Sequence, residues 1–190
     1  MHVDWLRREI IFKVVYYGPG LGGKTTNLEY IYHHIDPSRR GNLISLKTSE
    51  DRTLYFDFLQ LELGRINGKK PRFHLYTIPG QMHYSFSRKI LLRGADAVVF
   101  VADSQSARMA ENLETLADLE RRLIGQKKTL EKFPWVLQYN KRDLANVESI
   151  SALQARLNFL KVPFHPAVAT RGQGVFETLK SAIQLVIEKI

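Results

Sequence analysis

The feature that most constrains the fold of this chain is a glycine-rich stretch near its N-terminus, GPGLGGKT at residues 18–25. It matches the pattern G-x-x-x-x-G-K-[ST] at every fixed position. The preceding run, IIFKVVYY at residues 10–17, is apolar and β-rich, and the residues after the loop place apolar side chains at helical spacing: Leu28, Ile31, Tyr32 and Ile35. A glycine loop between a strand and a helix can turn several backbone N–H groups toward a polyphosphate, and the helix N-terminus adds partial positive charge. The sequence therefore predicts a phosphate-binding loop.

The residues of this loop have distinct predicted roles. Lys24 reaches the β- and γ-phosphates of a nucleoside triphosphate, and the Thr25 hydroxyl binds Mg²⁺. Glycines let the backbone bend closely around the phosphates. The other loop residues predicted to bind the nucleotide are Gly18, Gly20, Gly22, Gly23 and Thr26.

A second motif, Asn140-Lys141-Arg142-Asp143, follows an apolar strand pattern at residues 135–139 and fits N-K-x-D. A carboxylate can accept two hydrogen bonds from guanine, through its ring N–H and its amino group, and adenine cannot offer that pair. Asp143 is therefore the predicted specificity residue, and Lys141 can pack its aliphatic stem over the base. Asn140 can tie this loop to the phosphate loop. The two motifs together predict GTP and GDP as ligands.

Composition limits the class of protein. A length of 190 residues without an internal repeat predicts one domain over residues 1–190. The net charge of +9 is spread over short basic pairs rather than a long basic run, so we expect no nucleic-acid partner. There is no apolar run of about 18 residues, no secretory signal at the N-terminus and no cysteine for prenylation. We therefore expect a cytoplasmic protein without a membrane anchor.

Strand and helix patterns alternate along the chain, which predicts an α/β fold with helices on both faces of a mostly parallel sheet. Asn67-Gly68 indicates a hairpin between strands at 54–61 and 72–77. We expect a six-stranded sheet in which one edge strand is antiparallel. Residues 36–53 form a long connection, in which Leu43, Ile44 and Leu46 suggest a short strand of their own. The remaining strands are predicted at 97–103, 135–139 and 164–169, and the remaining helices at 82–93, 107–124, 149–160 and 175–190.

The motifs occur in the order and spacing of the Ras-like small GTPases, which the chain resembles over nearly its whole length. The matching elements are the phosphate loop, Thr53, Pro79-Gly80-Gln81, the N-K-x-D motif and Val168-Ala169-Thr170. Residues 15–21, 52–58, 73–81 and 174–179 resemble more closely the family of bacterial mutual gliding-motility GTPases. The resemblance implies a P-loop NTPase fold of the small G-protein type and hydrolysis of GTP.

The resemblance also implies roles for residues outside the two motifs. Thr53 would bind Mg²⁺ and sense the γ-phosphate, Gly80 would offer its N–H to that phosphate, and Gln81 would orient the attacking water. Ala169 and Thr170 would complete the nucleotide site.

Two positions qualify this resemblance. Thr77 stands where most Ras-like proteins carry an aspartate near Mg²⁺, so the metal would rely on Thr25, Thr53, phosphate oxygens and water. Arg52 could enter the site as an arginine finger in cis or remain a solvated loop arginine, and the sequence leaves both interpretations open.

The resemblance further implies partners and location. Family members act as polarity switches for surface motility, and their GTPase-activating partner is a roadblock/LC7-type homodimer. We expect a monomer that contacts this activator and motility effectors through residues 36–58 and 81–88, and that is recruited to a cell pole. The alternative is a guanine-nucleotide-binding regulatory module with little or no hydrolysis, which the substitution at Thr77 keeps open.

Overall fold

The computed structural model describes residues 2–4, 9–47, 55–65, 69–80 and 85–189. The predictions made for Arg52, Thr53, Asn67-Gly68 and Gln81 lie outside these residues.

Strands and helices alternate along the described chain as the sequence predicts. The strands are β1 (His2–Asp4), β2 (Glu9–Tyr17), β3 (Ile44–Lys47), β4 (Tyr55–Glu62), β5 (Lys70–Thr77), β6 (Ala97–Asp103), β7 (Trp135–Asn140) and β8 (Phe164–Pro166). The α-helices are α1 (Lys24–His34), α2 (Ser85–Leu92), α3 (Met109–Ile124), α4 (Ile150–Leu157) and α5 (Val175–Ile187). Short 3-10 turns lie at Pro37–Arg39, Ser106–Arg108 and Ala169–Arg171.

One twisted sheet organises the chain, with strand order β3-β4-β5-β2-β6-β7-β8. Strand β2 lies in the middle and pairs in parallel with β5 and β6, and β7 and β8 continue the parallel half. Strand β4 pairs antiparallel with β5, as the hairpin prediction requires. The predicted α/β class with a largely parallel sheet is confirmed. The carboxyl ends of β2, β6 and β7 meet at one edge, which is where ligands bind in open α/β sheets.

The predicted count of six strands is wrong, because the described residues contain eight. Strand β1 pairs antiparallel with residues 9–11 of β2, and β6 pairs with β2 further along, at residues 14–17. Strand β3 pairs antiparallel with β4 and takes the edge position that was predicted for β4. Its short alternation of apolar side chains sets Ile44 opposite Phe58 and Leu46 opposite Phe56, which satisfies a strand edge that would otherwise be unpaired.

Two hydrophobic clusters lie on the two faces of the sheet. One face packs against α1 and α5 through Leu28 and Leu179. The other face packs against α2, α3 and α4 through Leu91, Leu119 and Leu153. Every residue of β6 is buried, which is why its sequence is apolar from Ala97 to Ala102 instead of alternating.

Side-chain hydrogen bonds define both ends of α4. Ser149 caps its N-terminus by accepting a hydrogen bond from the backbone N–H of Ala152. The helix ends at Leu157 rather than at residue 160. The side-chain N–H of Asn158 donates to the carbonyl of Val162, and its side-chain oxygen accepts from the N–H of Val162. These bonds turn the chain toward β8.

Among the described residues, the helices are all too short or too polar to cross a lipid bilayer.

Candidate functional site

The glycine-rich loop joins β2 to α1 with backbone angles that exclude side chains at two positions. Gly18 has φ +141° and Gly23 has φ +99°, both in the region that favours glycine. A side chain at Gly18 would collide with the carbonyl of Val101, and one at Gly23 would collide with the side chain of Asn140. The loop therefore packs directly on the ends of β6 and β7.

Lys24 lies at the start of α1 and reaches back across the loop. Its ammonium donates hydrogen bonds to the carbonyls of Gly18 at 3.0 Å and Pro19 at 2.6 Å. Burial, with the positive charge of Arg88 as the next cause, lowers the pKa of Lys24 to about 7. A polyphosphate in this loop would supply the negative charge that the lysine lacks.

Asn140 brings three predicted parts of the site into contact. Its amide donates to the carbonyl of Gly22 at 2.9 Å, and its side-chain oxygen accepts from the backbone N–H of Ala169 at 2.9 Å. The predicted tie between the N-K-x-D loop and the phosphate loop is thus present. The hydrogen bond to Ala169 also connects a third loop, at Ala169–Arg171, to the first two.

The other residues of the N-K-x-D loop lie at the same edge of the sheet. Lys141 has φ +65° and donates to the buried carboxylate of Asp103 at 2.6 Å. The carboxylate of Asp143 lies 3.9 Å from the guanidinium of Arg171. Thr170 is exposed and lies between Ala169 and Arg171 in the 3-10 turn. Asp143 and Lys141 therefore each have a charged partner at this edge, Arg171 and Asp103.

Asp57, which is not among the predicted site residues, is 1% exposed and lies beside Thr25. Its carboxylate accepts hydrogen bonds from the hydroxyls of Thr25 at 2.6 Å, Thr77 at 2.8 Å and Ser45 at 2.7 Å. The backbone N–H of Asp57 also donates to the Thr77 hydroxyl at 2.8 Å. The position that lacks the usual aspartate is therefore bonded directly to an aspartate from the neighbouring strand.

A signal for Asp57 was present in the strand pattern. Leu59 and Leu61 lie on the same face of β4 as Asp57, and both are buried. A carboxylate in register with two core leucines requires partners inside the protein. Together with the missing aspartate at Thr77, this pattern could have identified the residue.

The turn after β5 rests on the phosphate loop. A side chain at Gly80 would collide with the backbone of Gly20 and Pro19. The guanidinium of Arg108 also donates to the carbonyl of Gly20 at 2.7 Å. Gly20 therefore contacts both the turn at Gly80 and a cation directly before α3.

The donor set near Thr25 fits a hard divalent cation. A hydroxyl and a carboxylate are oxygen ligands of the kind that Mg²⁺ prefers, and Mg²⁺ usually keeps several waters or phosphate oxygens. In the part of the chain that the structure describes, no group of three or more His, Cys, Asp or Glu side chains could hold a metal by itself. A hydroxyl and a carboxylate would leave most coordination positions of Mg²⁺ to water or phosphate oxygens.

Two comparisons with known proteins agree with this site. Residues 43–187 match the ADP-ribosylation factor (Arf) family. The chain is 53% identical over 188 residues to the mutual gliding-motility protein MglA of Myxococcus xanthus (strain DK1622). The aligned residues cover 99% of this chain and 96% of that protein. The predicted resemblance to the Ras-like small GTPases is confirmed. The chain belongs to the Arf family of Ras-like small GTPases, which bind guanine nucleotides and hydrolyse GTP.

Proposed function

We propose that this protein is a Mg²⁺-dependent GTPase switch that controls cell polarity in gliding motility and is activated by a roadblock/LC7-type homodimer of the MglB kind. The observation that carries the proposal is the 53% identity to MglA over nearly the whole of both chains. On this proposal the protein works in the cytoplasm and is recruited to a cell pole.

GTP binding divides between the two halves of the site. Lys24 and the N–H groups of the loop around Gly18, Gly20, Gly22, Gly23 and Thr26 take the phosphates. Asp143 selects guanine, and Lys141 packs on its ring while Asn140 holds the two loops together. Ala169 and Thr170 border the base. The hydrogen bonds of Asn140 to Gly22 and Ala169 support this division.

Thr25, Thr53 and phosphate oxygens would hold Mg²⁺, and Asp57 adds the carboxylate that Thr77 cannot provide. When bound, the ion would supply positive charge beside the phosphoryl group that is transferred. The hydrogen bond from Thr25 to Asp57 supports the inclusion of Asp57.

Hydrolysis requires a water in line with the γ-phosphate. Gln81 orients this water, and the N–H of Gly80 contacts the γ-phosphate. Arg52 enters the site as an arginine finger in cis when the activator is bound. The close packing of Gly80 on Gly20 supports the proposed contact of Gly80 with the γ-phosphate, because Gly20 belongs to the proposed phosphate loop.

The activator and effectors would contact the surface around β3, β4 and α2. Large apolar side chains are exposed there: Ile44 and Leu46 on β3, and Phe86 and Ile90 on α2. The two residues on β3 share a face, as do the two on α2, and exposed apolar residues that lie together mark surfaces that bind other proteins.

The test is single-turnover hydrolysis of GTP with and without a purified roadblock homodimer. We expect slow turnover by the protein alone and a strong acceleration by the homodimer. Arg52→Ala should lose about 10³-fold or more of the accelerated rate. Arg156→Ala, at an exposed position on α4, is the matched control and should behave like the wild type. No acceleration by any roadblock homodimer would refute the proposed activator, and a wild-type rate in Arg52→Ala would remove Arg52 from the mechanism.

A further inference from the structure

Arg88 on α2 is a buried arginine whose charge contributes to the lowered pKa of Lys24. Its side chain is only 1% exposed, which places it among the largest fully buried side chains of the protein. Arginine is rarely buried to this extent unless its charge and its donors are satisfied. Its contacts therefore indicate what the burial achieves.

One side of the guanidinium holds the backbone of the turn after β5. Nε donates to the carbonyl of Pro79 at 3.1 Å, and a terminal nitrogen donates to the carbonyl of Gly80. The Pro79 carbonyl and the Gly80 N–H belong to one planar peptide group and point in opposite directions. By holding that carbonyl, Arg88 orients the Gly80 N–H away from itself.

The other side of the guanidinium is anchored to a buried carboxylate on α3. It donates to Asp118 at 2.9 Å, and Asp118 also accepts hydrogen bonds from Tyr17 and from Arg122. Although burial opposes ionisation, the hydrogen bonds from Arg122, Tyr17 and Arg88 lower the pKa of Asp118. Tyr17 is the last residue of β2, directly before Gly18. The anchor thus connects the turn at Gly80 with the strand that carries the phosphate loop.

We propose that Arg88 is a positioning residue that presents the Gly80 N–H to the γ-phosphate of GTP and so lets the protein distinguish GTP from GDP. The inference rests on the proposed role of Gly80 and goes beyond it by naming the group that orients Gly80. A lysine cannot replace this arginine, because holding two carbonyls and a carboxylate together requires the planar fork of guanidinium donors.

The effect should appear in the ratio of two affinities. Only GTP carries a γ-phosphate, so a loss of orientation at Gly80 weakens GTP binding and leaves GDP binding in place. A merely structural role of Arg88 would weaken both nucleotides together. The ratio of the dissociation constants for GDP and for a non-hydrolysable GTP analogue therefore separates the two roles.

The experiment measures both constants, and single-turnover hydrolysis, for Arg88→Lys. We expect the affinity for the GTP analogue and the hydrolysis rate to fall about 10- to 100-fold, as for lost hydrogen bonds from a charged donor, with the GDP affinity unchanged. Arg122→Lys is the matched control: it removes a hydrogen bond to the same carboxylate, but Arg122 donates to Asp118 from the α3 side of the cluster. Its affinity ratio should match that of the wild type.

Equal losses for both nucleotides, or no loss for either, would overturn the proposal. Should Arg88→Lys not fold, Asp118→Asn weakens the anchor and leaves the arginine in place, and it should shift the ratio in the same direction by a smaller factor. An unchanged ratio in folded Asp118→Asn would then overturn the proposal. A wild-type protein that does not respond to a roadblock homodimer, while Arg88→Lys still shifts the ratio, would refute the proposed activator and support the role of Arg88.

Discussion

The hydroxyl of Thr25 donates a hydrogen bond to the carboxylate of Asp57 across 2.6 Å, joining the first turn of α1 to strand β4. The same carboxylate accepts from Thr77, which occupies the position where Ras-like proteins usually carry an aspartate. The acid is thus supplied from the adjacent strand. A buried carboxylate therefore lies beside the proposed metal ligand although threonine stands at this position.

Asp57→Asn should weaken the Mg²⁺ dependence of nucleotide retention. The amide keeps the size of the side chain and removes the charge that attracts the cation, so we expect the Mg²⁺ concentration that half-suppresses GDP release to rise about 10-fold or more. The measurement is release of a fluorescent GDP over a Mg²⁺ titration. Ser45→Ala, which removes only a hydrogen bond to the other oxygen of Asp57, should leave the midpoint nearly unchanged. An unaltered midpoint in Asp57→Asn would exclude Asp57 from the metal site.

Thr77→Asp restores the usual residue of the Ras-like pattern and should nevertheless be harmful. Thr77 is 2% exposed and touches Asp57 at 2.8 Å, so the substitution would bury two like charges in contact. We expect the free energy of unfolding to fall by about 3 kcal/mol or more. The double variant Asp57→Asn with Thr77→Asp should recover most of that loss in urea denaturation. Additive effects of the two substitutions would contradict the direct contact.

The stability of the nucleotide-free protein should rise with pH because of Lys24. Burial lowers the pKa of Lys24 from 10.5 to about 7, so between these values the unfolded chain binds a proton that the folded chain does not. The free energy of unfolding should therefore increase with pH across this window, by at most about 1.4 kcal/mol per pH unit. Below pH 7 this contribution should be constant.

Lys24→Met removes the titrating group. The urea midpoint of this variant should therefore rise less between pH 7 and 10.5 than that of the wild type. Lys180→Met, at an exposed position on α5, is the control and should retain the wild-type slope. A Lys24→Met protein whose stability follows pH just as the wild type does would contradict the assignment.

Asn140→Asp should weaken nucleotide binding while its matched control does not. The substitution keeps the acceptor for Ala169 but turns a second acceptor toward the carbonyl of Gly22, at a position that is 2% exposed. We expect a loss of about 1–3 kcal/mol in stability and a weaker affinity for GDP, measured by fluorescence titration. Asn158→Asp disturbs an equivalent pair of amide hydrogen bonds, to Val162 at the end of α4, outside the residues proposed to bind the nucleotide. It should lose stability and retain GDP affinity; a parallel loss of affinity would argue against a specific role of Asn140.

The elements predicted correctly from the sequence are those with strong local patterns. Strand β6 appears at the predicted residues 97–103 because an unbroken apolar run has few other solutions, and α3 follows from its amphipathic spacing. The end of α4 was predicted too late because the hydrogen bonds of Asn158 to Val162 are not visible as a periodicity.

What the sequence by itself determined is the order of strand, glycine loop and helix, together with the N-K-x-D motif, because glycine geometry and hydrophobic periodicity act over a few residues. Only the tertiary structure decided that Asp57 meets Thr77 and Thr25. The antiparallel register that sets Phe58 opposite Tyr76 brings the next residues, Asp57 and Thr77, side by side. Such contacts depend on the exact register of β4 against β5 and on the packing of α1 against β4, and the residue pattern of each element alone does not fix either of these.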